Sequence, residues 1–415
     1  PHFTDLVKEK IKLWYTSSKA DISIVEVGGT IGDMENEAIV EAMRQLRQDF
    51  WYQNVFYVHL TYIPYLMASK ELKTKPTQNS IKDLRSRWIT PDMLICRADY
   101  EISEEILTKI SYMTWVKKWL VIPAPTVDTI YRIPLDYQKH GLAAKMLDHL
   151  WLEKKEHTLK NRENLYHHII KATKEIHIAM IGKYVWLEDA YYSLNEAIKI
   201  AWFYHDYKVK LIFIEAETLN WDNIQEKLGL MHGVCLPWWF GKRWIEGMIL
   251  AAQYAREHKI PYLWICLWSQ IMAIEFARNV LWYSDATSEE FDELWISQHH
   301  VIHIMETQKS VIKKWWSMRL GSFDCILRNW SKVEEIYKGF SGNNLNKSTI
   351  KNSLIISERH RHRYEFNNFY RKEFENHGFM ISGTSPDDNL VEMVELIDHP
   401  FMIASQAHPE LQSRP

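Results

Sequence analysis

Apolar positions along the chain fall into short β-branched runs separated by longer amphipathic stretches, the rhythm of alternating strands and helices. DISIVEVGGT (21–30) reads as a strand running into a glycine turn. NEAIVEAMRQLRQ (36–48) follows with apolar residues at helical spacing, so a βα unit is expected. FYVHLTYI (56–63), the segment around MLIC (93–96) and WLVIP (119–123) predict three further strands. Between 151 and 174 the chain turns polar and basic, and a new strand, IHIAMIG (176–182), begins after it. The pattern therefore predicts one domain over 1–150, a linker over 151–174 and a second domain over 175–415. KLIFIEA (210–216), GVCLP (233–237), PYLWICL (261–267) and FMIASQAHPE (401–410) continue the rhythm as strands. Both halves read as α/β, the first with a largely parallel sheet.

Composition narrows the function classes. With 415 residues, 47% hydrophobic and 25% charged, the chain has the mixture of a soluble globular protein with more than one core. A formal net charge of -3 gives nucleic acid or an anionic membrane no bulk attraction and favours a small charged substrate. No apolar run is long enough to span a bilayer, and PHFTDLVKEKIK lacks the apolar core of a signal peptide, so a cytoplasmic location is expected. Cys96, Cys235, Cys266 and Cys325 are scattered, which excludes a disulfide scaffold or a CxxC metal site.

Cys266 stands between the apolar run PYLWI and the amphipathic QIMAIEFARNVL, at a strand-to-helix turn of the kind that presents a nucleophile. His408 and Glu410, two apart in an extended-looking stretch, leave on one face, so the carboxylate can orient the imidazole. By spacing alone a buried structural cysteine is the favoured reading. In KELKTKPTQNS (70–80), Lys73 and Lys75 flank a proline-fixed loop with Thr74, Thr77 and Gln78 as donors, suited to a triphosphate or simply solvated. Glu26 before Gly28 and Gly29 suits a magnesium ion or a hydrogen bond to the turn. ERHRHRYEFNN (358–368) concentrates Arg and His for an acidic group.

These segments, with IVEVGGTIGDMEN, AMIGKYVWLEDAYYSLNEA, SMRLG and SGTSPDDNLVEMVELIDHPFMIASQAHPE, run in order along the whole chain and resemble the CTP synthase family. The resemblance implies a partial P-loop-type amidoligase domain followed by a class I glutamine amidotransferase domain. It implies amination of UTP to CTP with ATP and Mg2+, ammonia from glutamine, GTP as activator, CTP as feedback inhibitor and a homotetramer. By matching motif, Cys266, His408 and Glu410 form the triad, and Leu267, Gln270, Glu290 and Arg363 contact glutamine. The backbone at Trp239 supplies an oxyanion donor. Glu26 binds magnesium, while Asp33, Met34, Glu35, Lys73, Thr74, Lys75, Pro76, Thr77, Gln78 and Lys109 line the UTP and CTP site.

Two departures from the family stand out. Its N-terminal phosphate loop and a short C-terminal tail are missing, so a fragment without unaided synthetase activity is expected. Nineteen tryptophans accompany only fourteen glycines, where average usage predicts about 29 glycines. Trp88, Trp202, Trp238, Trp239, Trp244, Trp264, Trp268, Trp315 and Trp316 occupy family glycine positions. The expectation is a reading frame in which UGA encodes glycine. If the indoles are real, the elbow is overfilled and the chain reads as an inactive nucleotide-binding or assembly homologue. A stand-alone amidotransferase is opposed by KTKPTQ and GGTIGD, which it has no use for.

Overall fold

Contacts in the computed structural model divide the chain into two units, 1–166 and 167–415. Every residue is described except 1, 155–157, 184–186, 238–243, 266–268, 293, 306–317, 340–348, 351–352 and 414–415.

In the first unit the β-branched runs become strands β1 (Val58–Tyr62), β2 (Met93–Ala98) and β3 (Val121–Pro125), paired in parallel in the order β1-β2-β3. Helices α1 (His2–Ser18), α2 (Glu37–Asp49), α3 (Lys75–Ser86), α4 (Glu104–Thr114), α5 (Ile133–Lys139) and α6 (Leu142–His149) complete this unit, α3 packing on β1 and α4 on β3. Ile63, Ile81, Leu94, Leu107, Ile110 and Val121 form a core to which each buried aliphatic side chain contributes roughly 1.5–3 kcal/mol. The strand expected over 21–30 does not form. Ile24 is 90% exposed there, and no described strand lies beside it to take its backbone hydrogen bonds. The glycine turn does form, with positive φ at Gly29 and Gly32.

Helix α7 (Lys160–Lys171) leads into the second unit. Its elements are β4 (Lys174–Gly182), α8 (Tyr192–Phe203), β5 (Tyr207–Glu215), α9 (Ile224–Leu228), β6 (Gly233–Leu236), α10 (Ile245–Glu257), β7 (Tyr262–Ile265) and α11 (Ser269–Asn279). They continue with β8 (His300–Ile304), β9 (Arg319–Leu327), α12 (Lys332–Gly339), β10 (Ser353–His362), β11 (Tyr364–Phe366), α13 (Arg371–Asn376), β12 (Phe379–Thr384), β13 (Val391–Leu396) and β14 (Met402–Ser405). One ten-stranded sheet runs β10-β9-β12-β13-β14-β7-β6-β4-β5, with Thr349–Ile350 at its β10 edge. The half from β14 to β5 is parallel and the remainder antiparallel. Helix α10 lies against the chain at Ala216 through Gly247, where a Cβ would meet the Ala216 carbonyl oxygen at 1.8 Å. Only glycine permits that approach.

Twelve non-glycine residues among those described take positive φ, and seven are tryptophans: Trp51, Trp88, Trp115, Trp151, Trp282, Trp295 and Trp330. Left-handed backbone is an outlier for a bulky residue and a default for glycine. Trp88 is the one of these seven expected from family motifs. Of the other expected positions, Trp202 packs on His205 and Tyr207, and Trp244 and Trp264 are buried in the core. Trp264 lies on β7 outside the positive-φ set, so any need for glycine there is one of space rather than of backbone. Positions 238, 239, 268, 315 and 316 lie outside the described residues.

Candidate active site

The candidate His–Glu pair follows a strand whose parallel neighbour runs directly into Cys266. β14 pairs with β7 in register, Ser405 opposite Ile265. Cys266 directly follows Ile265, and His408 follows β14 by three residues; ligand chemistry gathers at this end of parallel sheets. Cys266 itself, with Leu267 and Trp239, lies outside the described residues.

His408 and Glu410 are both buried, and His408 Nδ1 is 2.7 Å from Glu410 Oε1. A carboxylate only accepts, so Nδ1 carries the proton and Nε2 is left as the basic nitrogen. The contact is not the strand alternation expected from the sequence. β14 stops at Ser405, and Pro409–Gln412 is a 3-10 turn that folds Glu410 back onto the imidazole. The His408 N–H donates to the Arg359 carbonyl at 2.7 Å, which ties the turn to β10.

The other cysteines are poor nucleophiles. Burial pushes the Cys96 thiol up to about 11, and burial with the nearby Glu410 carboxylate pushes Cys235 up as well. Burial, reinforced by Glu392, likewise raises Cys325.

Three of the expected glutamine contacts, Gln270, Glu290 and Arg363, lie among the described residues. The Ser288 hydroxyl donates to Gln270 Oε1 at 3.4 Å and accepts from the Glu290 N–H at 3.2 Å, joining the start of α11 to the segment before β8. Sequence reasoning missed Ser288, because nothing in a lone serine between two loops marks it. Burial raises the Glu290 carboxyl to about 7 against the opposing pull of Arg363. Glu290 Oε2 has no hydrogen-bond partner, and neither has Gln270 Nε2. A buried acceptor and a buried donor linked through Ser288, with the half-buried Arg363 guanidinium acting on Glu290, form a set whose chemistry matches the ammonium, amide and carboxylate of an amino-acid amide.

A raised carboxyl makes the folded chain hold a proton that the unfolded chain releases, so the stability Glu290 contributes is complete below about pH 4.5 and is lost as pH rises through about 7. Glu290→Gln lacks this dependence. Its stability relative to the parent is expected to rise between pH 5 and 8, by at most about 1.4 kcal/mol per pH unit. Denaturant midpoints at the two pH values measure it, and a constant difference contradicts the placement of Glu290.

The first-half candidates divide. Lys73 to Gln78 is not a free loop: α3 starts at Lys75 behind Thr74, with Pro76 in its first turn. Thr77 is fully buried and donates to the Tyr62 carbonyl, and the Thr74 hydroxyl, also buried, accepts from Gln78 Nε2. Lys73 pairs with Glu71. Lys75 and Gln78 face outward with Asn79, Ile81, Lys82, Arg85 and Met113 onto a cavity of about 300 Å³. Asp33 accepts from the Thr30 N–H at 2.7 Å, and Met34, Glu35, Lys109 and Glu26 are exposed. Glu26 offers hard oxygen donors, which suit Mg2+ when nucleotide phosphates and water complete the shell.

Residues 1–152 match the family model described as CTP synthase N-terminus, and 186–415 match glutamine amidotransferase class-I. A CTP synthase of Dehalococcoides mccartyi is 43% identical over 415 residues, all of this chain and 73% of its own. One from Halalkalibacterium halodurans is 42% identical over all of this chain and 75% of its own. The solved Trypanosoma brucei CTPS glutaminase domain with bound acivicin is 32% identical, with a TM-score of 0.51 over 58% of this chain and 88% of its own.

Proposed function

The chain belongs to the CTP synthase family, and we propose that it hydrolyses glutamine through a thioester on Cys266 and uses the ammonia to convert UTP to CTP at the expense of ATP. The observation that carries this reading is the buried His408–Glu410 pair that follows β14, the strand paired in parallel with β7, whose last residue, Ile265, precedes Cys266 in the chain. His408 Nε2 takes the Cys266 proton as sulfur attacks the amide carbon, then returns it to the departing nitrogen, releasing ammonia. Water cleaves the thioester to glutamate, with the same imidazole as base. Glu410 holds the imidazole in its Nδ1–H form throughout. Glu290 receives the α-ammonium of glutamine, Arg363 its α-carboxylate, and Gln270 and the Leu267 region its amide. The backbone at 239 supplies an oxyanion donor.

In the first half, Asp33, Met34, Glu35, Lys73 to Gln78 and Lys109 bind UTP or the inhibitor CTP. Lys75 and Gln78 reach the nucleotide directly, while Thr74 and Thr77 shape the start of α3. Glu26 holds Mg2+, which when bound screens the phosphate charge. The synthetase and amidotransferase parts span 1–150 and 175–415, GTP activates, and the protein works as a cytoplasmic homotetramer. No helix among the described residues is long and apolar enough to cross a membrane.

Protein purified from its native host and given UTP, ATP, Mg2+ and glutamine labelled with 15N in the amide is expected to yield CTP labelled at the exocyclic amine. Unlabelled or absent CTP contradicts the proposal.

A further inference from the structure

Strand β10 buries the wrong residues for a sheet interior. Glu358, His360 and His362 point inward at 6%, 3% and 1% exposure, while Arg359 and Arg361 alternate outward. Burying two imidazoles and a carboxylate is costly unless their polar atoms are met. Glu358 is met by the Tyr337 hydroxyl and Gln412. The histidines meet Arg319, which lies opposite His362 on β9, and Glu392 on β13.

The geometry within this cluster is directional. The Arg319 guanidinium donates to Glu392 Oε1 at 2.5 Å and lies 3.4 Å from His362 Nε2. His360 Nδ1 is 3.2 Å from His362 Nε2 and 3.4 Å from Glu392 Oε2. His362 Nδ1 is 3.0 Å from the Tyr364 carbonyl oxygen. A carbonyl only accepts, so His362 carries its proton on Nδ1 and offers Nε2 as acceptor to Arg319 and His360. Two histidines and a glutamate with ligand atoms within 4.8 Å also resemble a metal site. Arg319 decides against it: Glu392 is already neutralised, and a dication added there would leave two net positive charges in a buried site.

The cluster bears on glutamine recognition through the backbone. His362 and Tyr364 flank Arg363, so the bond from His362 Nδ1–H to the Tyr364 carbonyl staples the chain across it. From the other side the Met305 N–H donates to the Arg363 carbonyl at 3.0 Å. Glu392 anchors the staple to β13, whose residue 392 carbonyl accepts from the Gln406 N–H at 2.7 Å, two residues before His408.

We propose that Arg319, His360, His362 and Glu392 form a positioning network that fixes Arg363 for the α-carboxylate of glutamine. This rests on the glutamine site proposed above. The test is calorimetric binding of glutamine to the Cys266→Ala protein, in which no turnover intrudes. His362→Ala and His362→Gln, which lacks a donor at the Nδ1 place, are expected to weaken binding about 10-fold, the worth of one well-placed hydrogen bond. His362→Asn, whose amide nitrogen reproduces the Nδ1 donor, is expected to stay within about 3-fold of the Cys266→Ala parent. Equal weakening by Asn and Gln, or full affinity in His362→Gln, overturns the network, and these two variants decide the matter if the alanine variant does not fold. Stoichiometric bound metal in protein purified without chelator overturns it as well. A Cys266→Ala parent that binds no glutamine overturns the glutamine site itself.

Discussion

Glycine placed together at 51, 88, 115, 151, 282, 295 and 330 is expected to stabilise the chain by several kcal/mol. All seven tryptophans there hold positive φ, and each is at least 66% exposed, so little packing is lost with the indole. Left-handed backbone costs a residue with a Cβ roughly 1–2 kcal/mol. Glycine gives back about 0.5–1 kcal/mol through the freedom it has when unfolded. The net gain per site is roughly 0–1.5 kcal/mol, so the seven sites, four in the first unit and three in the second, together give several kcal/mol against a domain's whole stability of about 5–15 kcal/mol. Denaturant unfolding of the sevenfold variant against the parent measures the effect, each unit followed by its own probe. A loss of stability would show that the indoles are native contacts and that glycine does not belong there. The clustering of one residue type at backbone positions made for glycine supports a frame in which glycine is the residue the host inserts.

Cys266→Ala is expected to abolish glutamine hydrolysis, by about 10⁴-fold or more, and His408→Ala to do nearly the same, since nucleophile and base act as one unit. Glu410→Gln is expected to lose about 10²–10⁴-fold, because a neutral amide can present its NH2 to the imidazole and favour the wrong tautomer. Combining Cys266→Ala with His408→Ala should cost little more than either alone. Rates of glutamate release across the four proteins provide the check. Additive losses, or a Cys266→Ala protein that still hydrolyses glutamine, would remove Cys266 from the chemistry.

The parallel half of the second unit was legible because its strands are continuous apolar runs. IHIAMIG, KLIFIEA, GVCLP and PYLWI all became neighbouring strands within a few residues of the expected bounds. The antiparallel half was not, because β10 alternates His and Glu with Arg and so shows no apolar period of two. Its inward face is bought with hydrogen bonds that only the fold reveals. For the same reason ERHRHRYEFNN read as an acid-binding patch, with Arg363 assigned to glutamine by resemblance, while the burial of His360 and His362 stayed hidden. His408 and Glu410 were correctly paired for an incorrect reason, since a 3-10 turn rather than a strand joins them. DISIVEV kept its strand-like sequence without a described neighbour to pair with, and so remained irregular.

The most direct test is mass spectrometry of the tryptic peptide Ile260–Arg278 from host-purified protein treated with an electrophilic glutamine analogue. The predicted result is one adduct on Cys266, suppressed by excess glutamine, on a peptide carrying glycine at 264 and 268. An unmodified Cys266 in folded protein, or labelling that glutamine does not suppress, would contradict a glutamine-hydrolysing site at this residue.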